Sequence, residues 1–244
     1  MQEIIEGFIL KERDYLESSK IMEIFTKKYG IISVISKGCK KPKSTLCSAS
    51  SKMTYGKFNI YYKEGKLSTL TNVDIINNLS NIKKDIMNIG YTTYLMELIY
   101  QVAKQVDIYD ELFNDFISTI LKLNDKLDAG VLTNILELKL LNYLGVSLSL
   151  DSCSICGNKN NIINLSLERH GLLCKDCRTN EKLYSIDTIK HIRMYSYLDI
   201  SKISKIEVSD KVKFEIDKYL NDYYEKYTGL YINSKEFINK LKNM

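Results

Sequence analysis

Residues 153–157 read Cys153-Ser154-Ile155-Cys156-Gly157, and residues 171–177 read Gly171-Leu172-Leu173-Cys174-Lys175-Asp176-Cys177. Two C-x2-C pairs therefore stand seventeen residues apart. Each pair closes a small knuckle that directs two sulfurs at one point. Two knuckles supply the tetrahedral four-sulfur shell that zinc accepts. No coordination position remains for water, so the spacing predicts one structural zinc held by Cys153, Cys156, Cys174 and Cys177. Two disulfides or four free thiols are the alternative. Gly157 and Gly171 suit tight knuckle backbones. His170 and Asp176 are other ligands by type, but beside four thiolates they are expected to be solvated neighbours.

Outward from this module the hydrophobic period is helical. On the N-terminal side, Ile82, Ile86, Ile89, Thr93, Met96, Ile99 and Tyr100 follow it, as do Leu112, Phe116, Ile120 and Leu123. Ile135, Leu138, Leu141 and Leu144 repeat it. Asp110 and Ser209 read as N-caps, and Gly145 and Gly229 as C-terminal stops. After the module, helices are predicted near 185–197, 210–227 and 234–241. The stripe Val212, Ile216, Tyr219, Leu220, Tyr223, Tyr227 reads as helical core.

The first third reads differently. Short apolar runs at 4–10, 21–26, 31–36, 55–62 and 67–75 predict five strands. Lys27-Lys28-Tyr29-Gly30 and Lys63-Glu64-Gly65-Lys66 are hairpin turns between them. Charged Lys11-Glu12-Arg13-Asp14 bounds the first run. Five strands with a long loop after the third fit a small barrel of the OB type, and on strands alone an SH3-like barrel fits nearly as well.

Charge separates the same regions. Residues 1–80 hold 13 Lys+Arg against 8 Asp+Glu, whereas the remainder holds 22 of each, so the whole net charge of +5 lies in the first third. That is the footprint expected for a polyanion. Its sharpest cluster is Lys37-Gly38-Cys39-Lys40-Lys41-Pro42-Lys43-Ser44, which contains the only proline. A solvated basic loop is the plain alternative. Tyr55, Phe58, Tyr61 and Tyr62 put aromatics on the barrel strands, but half or more must fill its core.

Other chemistry is missing from the sequence. There is no P-loop, G-x-G-x-x-G, H-E-x-x-H or G-x-S-x-G, and only two histidines are present. The expectation is a protein without catalytic activity. The opening Met1-Gln2-Glu3-Ile4-Ile5-Glu6 lacks the basic start and apolar run of a signal peptide, and no apolar stretch reaches membrane-span length. With four of six cysteines in a metal pattern, a reducing cytoplasm is expected and Cys39 and Cys47 are free thiols.

Four stretches carry a resemblance. Glu6 to Tyr15 with Glu17-Ser18-Ser19-Lys20, then Phe25 to Gly30, resembles the opening of bacterial RecO recombination mediators. Lys37 to Ser44 is similar to that family's basic loop. Glu137-Leu138-Lys139-Leu140-Leu141 and Leu144-Gly145, running into the first cysteine pair, resemble its helix-to-zinc junction. Ser234-Lys235 and Phe237 resemble its closing helix.

The resemblance implies an α+β chain. An OB-fold for DNA binding would occupy 1–78, a helical domain 79–149 and 184–244, and a zinc module 150–183. It further implies a non-enzymatic mediator of DNA repair that binds single- and double-stranded DNA and anneals complementary strands. With RecR it would load RecA onto DNA coated by single-strand-binding protein, whose acidic tail docks on the helical part. Such a protein works in the bacterial cytoplasm at the nucleoid, away from membranes. Lys37, Lys40, Lys41 and Lys43 match the basic loop, and Lys11 and Arg13 join them as candidate DNA contacts. Lys139 is the candidate partner contact. Lysine stands where the family usually has arginine, which keeps charge but loses bidentate phosphate geometry. A zinc-ribbon module of a transcription or ribosome-associated assembly is the alternative.

Overall fold

In this computed structural model, which describes residues 1–242, five strands close into a barrel. They are β1 (Gln2–Tyr15), β2 (Ser19–Thr26), β3 (Gly30–Ser36), β4 (Tyr55–Tyr61) and β5 (Ser68–Asn77), in the order β1-β2-β3-β5-β4. β1 pairs with β4 to complete the ring, and β3 and β5 run parallel through Val34↔Ser68 and Ile35↔Thr69. This is the OB arrangement and excludes the SH3-like alternative. Alternation drives it: Ile5, Ile9, Met22, Ile24, Ile32, Val34, Phe58, Ile60 and Leu70 point inward as one core. Of the barrel aromatics named from sequence, Phe58 lies in this core, Tyr62 packs against it half-buried, Tyr55 is buried outside it and Tyr61 is exposed.

β1 is longer than the apolar run at 4–10 suggested. After an irregularity between Ile9 and Lys11, its charged half continues to Tyr15, paired with Ser19–Glu23. Lys11 to Tyr15 are all exposed while Ser19, Ile21 and Met22 on the paired strand are buried, so the ladder persists where the hydrophobic pattern of β1 stops. The long segment 37–54 is pinned to the barrel. The Met53 N–H donates to the carbonyl of Ile9 (3.1 Å), the Ile9 N–H donates to the carbonyl of Thr54 (3.0 Å), and the Ser50 hydroxyl donates to the Ser36 hydroxyl oxygen (2.8 Å). Cys39, Ala49 and Met53 are buried beneath it.

The helices are α1 (Ser80–Lys83), α2 (Ile86–Val102), α3 (Tyr109–Asn124), α4 (Ala129–Tyr143), α5 (Ile186–Tyr197), α6 (Asp210–Tyr227) and α7 (Ser234–Lys242). A two-stranded sheet, β6 (Ile162–Ser166) and β7 (Gly171–Cys174), lies between α4 and α5 in sequence. Ser209 caps α6 as expected, its Oγ accepting from Val212. Asp110 does not cap α3: it lies inside the first turn, because the helix begins at Tyr109. Gly145 and Gly229 directly follow the C-caps Leu144 and Thr228.

The chain divides into two compact units, residues 1–117 with the segment from 234, and residues 118–233. In the first, Phe8 and Phe25 pack edge-to-face on Phe116 and Phe113 of α3, at centroid distances of 5.2 and 5.3 Å. The start of α7 is tied to α2, since the Ser234 backbone and hydroxyl both donate to the Glu97 carboxylate. In the second, α4 is buried nearly all round. α6 presents Val212, Ile216, Tyr219, Leu220 and Tyr223 inward. Tyr224, outside the predicted stripe, is also buried and its hydroxyl donates to the Glu137 carbonyl (2.8 Å). Tyr227 is only half-buried.

Candidate metal centre and nucleic-acid interface

The four cysteines converge. Cys153 and Cys156 lie on a turn, Cys174 ends β7, and Cys177 closes the short helical turn that follows. Their sulfurs all lie within 4.8 Å of one another. Cys156 Sγ and Cys174 Sγ are 3.7 Å apart. A tetrahedral zinc with Zn–S bonds of about 2.3 Å has S···S edges of about 3.8 Å, so this donor set fits one such ion. Cys153 and Cys174 are buried with Leu173 in a small core of their own. His170 and Asp176 are not part of the cluster.

Burial alone would push the Cys153 thiol up, but N–H groups of Cys156, Cys174 and Ile155 aimed at its sulfur bring it down to about 6. Cys177 is pushed up to about 12, first by its hydrogen bond with Cys156 and then by burial. Crowded sulfurs cannot all ionise unaided, and a divalent cation removes that conflict.

The backbone explains the glycines. Gly157 sits at φ +74° and its N–H donates to the Cys153 carbonyl (2.9 Å), closing the first knuckle. Gly171 serves a different need: a Cβ there would stand 2.3 Å from the Ser149 carbonyl oxygen, because that strand-like residue crosses it.

His170 is not the solvated neighbour the sequence suggested. Its Nδ1 is 2.7 Å from the Tyr223 hydroxyl, and its ring packs on Tyr223 and Tyr227. Both contacts are satisfied together when the Tyr223 hydroxyl donates to the Val146 carbonyl (3.0 Å) and the Nδ1–H tautomer of His170 donates to the hydroxyl. Spacing could not reveal this, since the interaction spans 53 residues.

On the barrel, Lys37, Lys40, Lys41, Lys43, Lys11 and Arg13 are all exposed. The basic loop is fastened to the β1–β2 turn: the Lys40 N–H donates to the Ser18 carbonyl (3.0 Å) and the Gly38 N–H to Ser19 Oγ (3.3 Å). The loop that carries the four lysines is thereby anchored at Gly38 and Lys40. Lys11 is directed elsewhere, its ammonium 3.3 Å from the centroid of the Tyr100 ring beside Lys104. Lys139 lies on α4 in the other unit, half-buried between buried Leu138 and Leu140. That unit also has an apolar slot at Ile162, Ile186 and Ile189 rimmed by Lys190 and Arg193. Neither it nor a groove of about 550 Å³ on the barrel, lined in part by Tyr29, Tyr62, Lys63 and Lys66, was read from sequence. Residues 63–66 show only as a turn signal, and each site draws on separated segments.

A closed OB barrel with a lysine-rich edge, a helical part and four clustered cysteines that could hold a metal ion define a mixed α+β protein. The chain matches the family described as "Recombination protein O N terminal" over residues 1–79 and "Recombination protein O C terminal" over residues 83–236. It is 32% identical over 242 residues to a Bacillus pumilus protein named DNA repair protein RecO, covering 98% of this chain and 94% of that one. It is 29% identical to the proteins of that name from Bacillus subtilis, over 98% and 94%, and Listeria monocytogenes, over 97% and 93%. The chain belongs to the RecO family of DNA repair proteins.

Proposed function

We propose that this chain is a non-enzymatic recombination mediator that binds single- and double-stranded DNA and brings complementary strands together. The observation that carries the reading is the basic loop, four exposed lysines clamped to the barrel hairpin. Ammonium groups neutralise phosphates without reading bases, so binding is sequence-independent and salt-sensitive. Two strands whose phosphates are neutralised on one surface repel each other less and pair faster. Residues 1–78 carry this work, with Lys37, Lys40, Lys41 and Lys43 as principal contacts and Arg13 and Lys11 at the margin.

Zinc is the metal assigned to Cys153, Cys156, Cys174 and Cys177. When bound it supplies a structural cross-link and no open coordination position. The remaining residues of 150–183 form its module, and 79–149 with 184–244 the helical part. The partners proposed with this reading are RecR, and the acidic tail of single-strand-binding protein on the helical part with Lys139 as one contact, and through them RecA. The site of action is the bacterial cytoplasm, at the nucleoid. No helix among the described residues is long and apolar enough to cross a membrane.

Annealing of two complementary oligonucleotides, with and without single-strand-binding protein, tests the proposal. The expected result is acceleration over the spontaneous rate in both cases. No acceleration in either would overturn it.

A further inference from the structure

One groove on the barrel is separate from the basic loop in its chemistry. Lysines of the loop offer charge alone. The groove of about 550 Å³ combines Arg13 of β1, Ser33 of β3, Lys63 and Lys66 of the β4–β5 turn, and the rings of Tyr29 and Tyr62. No carboxylate is among the described residues lining it. The two rings are near-parallel, 4.2 Å apart at 15°. Tyr29 is fixed by its hydroxyl, which donates to the Glu3 carboxylate (2.7 Å), and Lys28 Nζ lies 4.6 Å from its centroid. The turn carrying the lysines is ordered: the Lys63 N–H donates to Ser68 Oγ (3.1 Å) and the Lys66 N–H to the Lys63 carbonyl (3.2 Å).

We infer that this groove is a single-strand-selective subsite, in which an unpaired base stacks on the Tyr62 platform while Arg13, Lys63 and Lys66 hold the flanking phosphates. The inference rests on the DNA-binding reading and adds to it a physical basis for telling single strands from duplexes. Bases in a duplex are already stacked on both faces and turn their edges to the grooves, so they cannot lie on a tyrosine ring. An unpaired base can, and aromatic platforms beside cations are how sequence-tolerant single-strand binding is built. The pre-stacked rings, with Tyr29 held by its hydrogen bond, cost little further ordering when a base arrives.

Because the chain contains no tryptophan, the groove can carry a unique reporter. In full-length Tyr62→Trp, stacking quenches the indole fluorescence on adding oligothymidylate but not on adding a duplex of mixed sequence. Equal responses to the two would overturn the inference. Affinities of Tyr62→Leu and Tyr62→Phe, measured by anisotropy with the same two probes, form the second arm. The ratio of single-strand to duplex affinity falls about fivefold or more in Tyr62→Leu, and Tyr62→Phe, which keeps the ring, recovers it. An unchanged ratio in Tyr62→Leu would remove the subsite while leaving the DNA-binding reading intact. Wild-type protein that binds neither probe would overturn that reading itself, and the subsite with it.

Discussion

The ammonium of Lys40 sits 2.7 Å from a carboxylate oxygen of Asp14, joining the basic loop to the end of the first strand across 26 residues. A lysine of the basic loop is thus partly neutralised by the hairpin that positions it. An exposed pair of this kind contributes little to stability, so its consequence is for charge.

Asp14→Asn releases Lys40 and removes one negative charge beside the phosphates. DNA affinity should rise about two- to threefold at low salt, and the gain should fade as salt screens the cluster. Lys40 holds the Asp14 carboxyl below its ordinary value. The pair therefore persists at neutral pH and down through the usual aspartate range, and is lost only as pH falls further. Wild type should behave like Asp14→Asn only below that range. Anisotropy titrations at two salt concentrations check the first point.

Freshly reduced protein should contain one equivalent of zinc. Changing both Cys174 and Cys177 to serine should abolish it and lower the unfolding midpoint of the helical part. Metal binding orders the segment between the pairs, so its energy is folding energy. Metal analysis and thermal unfolding followed by circular dichroism read the two outcomes.

Tyr223→Phe removes the hydroxyl that joins His170 to the Val146 carbonyl. It should cost about 1 kcal/mol of stability and leave the zinc content at one equivalent. A loss of metal would mean that His170 supports the centre more directly than its position outside the cluster indicates.

Much of this architecture was legible in the sequence, for identifiable reasons. Short apolar runs and hairpin turns marked all five barrel strands, and paired spacing marked the four-cysteine cluster, because both signals are local. The charged half of β1 escaped notice because Lys11 to Asp14 face solvent on an outer hairpin, where pairing leaves no hydrophobic trace. β6 and β7 were hidden inside the spacing between the cysteines. The packing of His170 on Tyr223 and Tyr227 and the groove around Tyr62 depend on contacts between distant segments, which no window of sequence contains.

Lys139→Glu should weaken binding of the acidic tail of single-strand-binding protein while leaving annealing of naked DNA intact. A labelled tail peptide provides the readout. Such a peptide needs an apolar slot rimmed by cations, and Lys139 is flanked by buried leucines. Equal affinity for wild type and variant would remove Lys139 from the site. Arg193→Glu, at the slot formed by Ile162, Ile186 and Ile189, is then the informative comparison.

The most direct test is the salt dependence of single-strand affinity in wild type and in a variant with Lys37, Lys40, Lys41 and Lys43 all replaced by alanine. If the loop lysines neutralise phosphates, the variant binds more weakly. Its plot of log affinity against log salt is also flatter, by up to about 0.7 for each phosphate that is no longer neutralised. An unchanged slope would contradict the assignment of these lysines and move the DNA site away from the barrel edge.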